Sequence, residues 1–221
     1  MIRLKIYTRF DTKDSIYFDI CRDDSEDYKE CSDELMPLFA DEGCWTKLSA
    51  DAKHFRYVIS LLVKKEKHWA KAVTFGAMCL EAFIYDYAAH NFSDAYVKNY
   101  IDKLDLVSKW VIIPRLILGR DFPRDAKAFE YLVKLVKYRN ELVHAKSAPL
   151  YQGDNDYEFF KSIRPRMKKE IERETYMRMR NLSPHEMVKE VLSALRRLEG
   201  EDDIATQWWQ LEEVDDGFDD L

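Results

Sequence analysis

The sequence predicts a mainly α protein, an antiparallel helical bundle with a short N-terminal β-hairpin. Three observations lead there. Apolar residues recur at helical spacing from about residue 51 to residue 200. Six glycines and six prolines in 221 residues leave room for few tight turns, so the elements are long. At 47% apolar residues the chain can fill a core, yet it contains no run of about 18 apolar residues that would cross a bilayer.

The elements follow in order. Residues 2–8 and 15–21, "IRLKIYT" and "SIYFDIC", are β-branched and aromatic, and "RFDTKD" separates them, which predicts the hairpin. Residues 22–50 are polar and irregular, with a helical signal near Leu35. Residues 1–50 therefore read as an N-terminal extension, 51–200 as the helical domain and 201–221 as an acidic tail. In "WAKAVTFGAMCLEAFIYDYAAHNF", Trp69, Val73, Gly76, Ala77, Leu80, Phe83, Ile84 and Tyr87 form one helical stripe. A second helix spans about 94–111 and ends before Pro114, and "IIPRLILGRDFP" reads as a connector. A third runs over about 123–147, with a stripe of Phe129, Leu132, Val133, Val136, Asn140 and Val143. Residues 156–179 form a charged helix, with Pro165 as its kink or its true start. "SPHEMVKEVLSALRRLEG" is the last, opened by a capping box of Ser183 and Glu186 with Pro184 at the first helical position.

Charge is uneven along the chain. Residues 1–51 hold 7 basic and 13 acidic residues, and 199–221 hold none and 10. The centre, 52–198, is left at +10 within a net charge of −6. A basic centre readmits a polyanionic partner that the acidic balance alone would argue against. The four cysteines are irregularly spaced without a C-x-x-C pair and read as reduced thiols of a cytoplasmic protein. His54, His68 and His90 lack ligand spacing, and no zinc, calcium or phosphate-loop motif is present, so neither metal nor cofactor is expected.

An Arg-Asn pair followed by a histidine occurs twice. In "RNLSPH" the pattern straddles the capping box, so Arg180 and His185 belong to different helices. In "YRNELVH" it lies on one helix. Arg139 and His144, five residues apart, point about 140° apart around the axis. Taking Val136 as the stripe's centre sets Asn140 about 40° to one side, His144 about 80° to that same side and Arg139 about 60° to the other. A guanidinium and an imidazole then frame whatever packs on the stripe. An arginine snorkelling to solvent and a histidine at a helix C-terminus would give the same letters without any site.

Arginine, a polar residue, three more residues and histidine near the end of an apolar helix resembles the R-x4-6-H motif of the HEPN family (higher eukaryotes and prokaryotes nucleotide-binding domain). "AMCLEAFIYDYA" is similar to that family's first core helix, "LDLVSKWVIIPRLILGRDFP" to its connecting segment and "FEYLVKLVKYRNELVHAKS" to its motif helix. The similarity covers roughly residues 68–200. It implies a metal-independent endoribonuclease, a hydrolase of the kind used as a toxin or antiviral defence effector. It also implies a homodimer with the site at the interface. On that expectation Arg139, Asn140 and His144 are catalytic. Glu81, at an acidic position of the family's first helix, holds Arg139 by an ion pair. Lys134, Lys137, Lys146, Arg164, Arg166, Lys168 and Lys169 are expected to guide RNA phosphates. Trp208 and Trp209 in the acidic tail could anchor it to the body or to a protein partner such as an antitoxin. A non-catalytic HEPN module binding a nucleotide or protein, and a helical subunit of a larger complex, are the competing expectations.

Overall fold

Two long helices laid antiparallel carry the architecture. The structure, a computed structural model, describes residues 13–39, 52–144 and 182–200. Its elements are α1 (Asp14–Phe39), α2 (Ala52–Asn91), a short α3 (Asp94–Tyr96) running into a π-helical turn (Val97–Ile101), α4 (Leu106–Leu118), α5 (Lys127–Val143) and α6 (Pro184–Glu199). The described residues form a mainly helical bundle without strands. Among them, no helix is long and apolar enough to cross a membrane.

The N-terminal β-hairpin is not present, because its second strand lies in α1. Phe18, Cys21, Ser25, Tyr28, Ser32 and Leu35 are all buried, at alternating spacings of three and four. That is one helical face. Two of its positions are serines, which interrupt the hydrophobic pattern. Ile16, Phe18 and Ile20 meanwhile imitate strand alternation, although Ile16 is 48% exposed. The first strand, 2–8, lies outside the described residues.

α1 runs antiparallel to α2. Tyr17 packs on Phe75, Asp24 bonds to His68, and Leu35 clusters with Val58 and Leu61. Phe18, Cys21 and Tyr28 belong to the same core as Trp69, Val73, Leu80, Trp110, Leu132 and Val188. Asp14–Phe39, which the sequence assigns to an extension, is thus built into the bundle. All eight stripe residues of α2 are buried. α5 also runs antiparallel to α2, with Leu135 against Gly76 and Tyr138 against Trp69.

The expected 94–111 helix is instead broken. After the π turn, the Asp102 N–H donates to the Val97 carbonyl, and the Asp105 carboxylate accepts from the Ser108 N–H to open α4. α4 then continues through Pro114, absorbing most of the expected connector. Pro114 cannot donate a helical hydrogen bond. Burial of Trp110 and Ile113, with the Trp110 Nε1–H bonded to the Leu80 carbonyl, offsets that loss. Gly119, at φ 66°, closes the helix in the left-handed region that glycine enters without strain. α6 begins as expected: the Ser183 side chain accepts from the Glu186 N–H, and Pro184 follows the cap. The 156–179 helix and the acidic tail lie outside the described residues.

Candidate functional site

α5 has two apolar faces, and the core uses the one centred on Ala128, Tyr131, Leu132 and Leu135, which are buried. Val133 is 41% exposed and Val143 61%. The inward direction is therefore about 90° from Val136, the centre taken from sequence. Measured from it, Arg139 lies about 30° away, Asn140 about 130° and His144 about 170°. On the second face Val133, Asn140 and Val143 look outward, while Phe129 and Val136 at its edge are half-buried against the core.

This rotation separates the motif. Arg139 is half-buried, and its Nε is buried without a hydrogen-bond partner. Among the described residues no carboxylate pairs with it. The adjacent Tyr138 ring sits edge-on to Trp69 at 5.3 Å, and Trp69 packs on Tyr28 at 5.2 Å. His144 is exposed and is the C-cap of α5, not an interior helical residue. Its backbone N–H donates to the Asn140 carbonyl at 2.9 Å. Asn140 is exposed too. Within one chain the guanidinium and the imidazole point to opposite sides of the helix.

Glu81 does not meet the expectation of pairing with Arg139. It accepts from the Lys109 Nζ at 3.1 Å, and Asp102 takes the same ammonium at 3.3 Å. Lys109 is 2% exposed, so these two carboxylates satisfy a buried cation. Of the expected phosphate contacts, Lys134 faces Glu130 at 2.9 Å and Lys137 faces Glu141 at 4.0 Å, both one helical turn apart. Lys146, Arg164, Arg166, Lys168 and Lys169 lie outside the described residues, as do Trp208 and Trp209.

His185, in the other copy of the pattern, has a structural role. Its backbone N–H donates to the Ser25 hydroxyl at 3.2 Å, and its ring meets Phe18 edge-on at 4.6 Å. Burial, reinforced by Lys189 and Arg22, pushes its imidazole down to about 4. The described cysteines, Cys21, Cys31 and Cys79, are free and buried, and burial holds the Cys21 thiol up at about 12.

One cluster escapes the sequence reading altogether. Asp24 and Asp27 on α1 converge on His68 of α2, with Nδ1 at 2.7 Å from Asp24 and 3.2 Å from Asp27. Lys71 also reaches Asp24, at 3.0 Å. The usable signal was D-x-x-D, which places two carboxylates on one face only if the segment is helical. Comparison of the chain with protein-family models, with characterised proteins and with solved structures found no match.

Proposed function

We propose that the protein is a metal-independent endoribonuclease whose active unit is a homodimer joined along the outward face of α5. The observation that carries this reading is that face itself. Its Val133 and Val143 are exposed in the single chain, and it bears Asn140 and His144 of a motif that resembles the HEPN ribonuclease signature. Packing two copies face to face removes Val133 and Val143 from water and brings two His144 imidazoles into one cleft.

The chemistry needs that duplication. The RNA 2′-oxygen attacks the adjacent phosphorus while its proton passes to one imidazole. The bond from phosphorus to the 5′-oxygen breaks, and a second imidazole in its protonated form supplies the proton to the leaving oxygen. Histidine suits both tasks near neutral pH. The charge developing on the phosphorane oxygens calls for a cation, a role that the resemblance gives to Arg139, although within one chain it lies on the opposite side of α5 from His144. Asn140 serves to orient the phosphate or the ring.

The test is cleavage of labelled RNA and tRNA in EDTA by the wild type and by His144→Ala. We expect 2′,3′-cyclic phosphate ends from the wild type and at least a hundredfold slower cleavage by the variant, roughly the contribution of a general acid or base. RNA binding without cleavage by either protein would favour the second reading, a non-catalytic binding module. The opposite orientation of Arg139 and His144 within one chain is the observation that favours it.

A further inference from the structure

We propose that Asp24, Asp27 and His68 form a binding site for a divalent first-row metal ion, with zinc as the reference ion. Three potential ligand atoms, one from each residue, lie within 4.8 Å of one another. Asp24 is 4% exposed and His68 8%. This is a largely buried set of one imidazole and two carboxylates rather than a surface acidic patch.

The spacing fits shared coordination. Nitrogen and oxygen donors bound to zinc at about 2.1 Å, with angles between octahedral and tetrahedral, lie about 3.0 to 3.4 Å apart. The Nδ1 atom of His68 is 2.7 Å from one carboxylate oxygen and 3.2 Å from the other. Small side-chain rotations open that arrangement to the required separations. A hydrogen bond explains only half of it. One Nδ1–H can donate well to a single carboxylate, yet two converge on it. Two carboxylates and one neutral imidazole carry a charge of −2, and Lys71 offsets one unit of it. A divalent cation would neutralise both carboxylates. Lys71 has a side chain 45% exposed, so it can turn to solvent as the metal enters. On binding, the Nδ1 lone pair must face the metal, and the ring proton resides on Nε2.

The donor set points to the ion class. One imidazole nitrogen and two carboxylate oxygens suit zinc or a similar first-row ion better than magnesium or calcium, which favour oxygen. The position gives the site a structural role, because it ties α1 to α2 beside Trp69, the residue that seats Tyr138 next to Arg139.

The experiment uses the full-length protein, stripped with EDTA and dialysed, titrated with zinc chloride by calorimetry and followed in parallel by thermal unfolding. We expect one high-affinity site per chain and a raised Tm on loading. Asp27→Asn and His68→Gln each remove a direct ligand and should each weaken zinc binding by at least about 100-fold, the upper end of what loss of an outer-shell partner costs. Asp27 has a side chain 49% exposed, so Asp27→Asn keeps the fold, which circular dichroism checks. Zinc binding by a folded Asp27→Asn variant equal to that of the wild type would overturn the proposal, as would no zinc binding by the wild type at about 100 μM, a weakness unlike that of built zinc sites. Neither readout uses RNA, so failure here leaves the nuclease reading to its own test.

Discussion

Burial pushes the His185 imidazole from an ordinary 6.5 down to about 4, with Lys189 and Arg22 adding to the effect. The folded state thus resists protonation that the unfolded chain accepts. Between those two values the unfolded state binds more protons, so stability falls as pH falls. The contribution is complete above about pH 6.5 and is lost as acidification proceeds through about pH 4. Denaturant midpoints measured from pH 7.5 to pH 4 should decline more steeply for the wild type than for His185→Phe. The phenyl ring keeps the edge contact with Phe18 but has nothing to titrate. Parallel curves would show that His185 is solvated in the folded protein. The same residue scale separates the two histidines of the repeated pattern. His185 is fixed by a backbone bond and a ring contact, whereas His144 is a helix cap open to solvent.

Helices were legible in the sequence where one face is continuously apolar, and obscured where small or polar residues occupy buried positions. α2 and α6 announce themselves through an unbroken stripe and a complete cap. α1 does not, because Ser25, Ser32 and Asp24 fill buried positions that hydrophobic periodicity would reserve for leucine. Missing α1 also hid the convergence of Asp24 and Asp27 on His68. α5 is readable as a helix, but the sequence offers two competing apolar faces; a stripe centred on Val136 is the wrong choice, because tertiary packing buries the face of Ala128, Tyr131, Leu132 and Leu135 about 90° away. Gly76 shows how closely these elements meet. A Cβ there would lie 3.1 Å from the Cys21 Sγ and 3.1 Å from a Val188 methyl, so α2 is pinched between α1 and α6. Gly76→Val should overpack this crossing and destabilise the fold by about 1–3 kcal/mol. Urea unfolding would measure the loss. A stability equal to the wild type would mean that the helices separate without cost.

At the scale of the whole molecule, the outward face of α5 does not end with that helix. Phe129 on this face and Ile112 on α4 line one shallow pocket. Leu116, one turn beyond Ile112, is 52% exposed. Apolar surface is therefore shared between α5 and α4 at this pocket. Val133→Asp would place a carboxylate in the middle of a self-complementary contact, where twofold symmetry sets two like charges close together. We expect the dimer dissociation constant to rise at least a hundredfold, roughly the several kcal/mol such juxtaposition costs. Sedimentation of wild type and variant would read it. Sharing of the active site has its own signature. If each cleavage event needs His144 from both chains, equal mixing and re-equilibration of wild type with His144→Ala leaves about a quarter of the dimers fully competent. Specific activity per wild-type chain should then fall by about half. If instead each chain works with its own histidine alone, mixing leaves that activity unchanged, and the dimer would serve only to cover the apolar face.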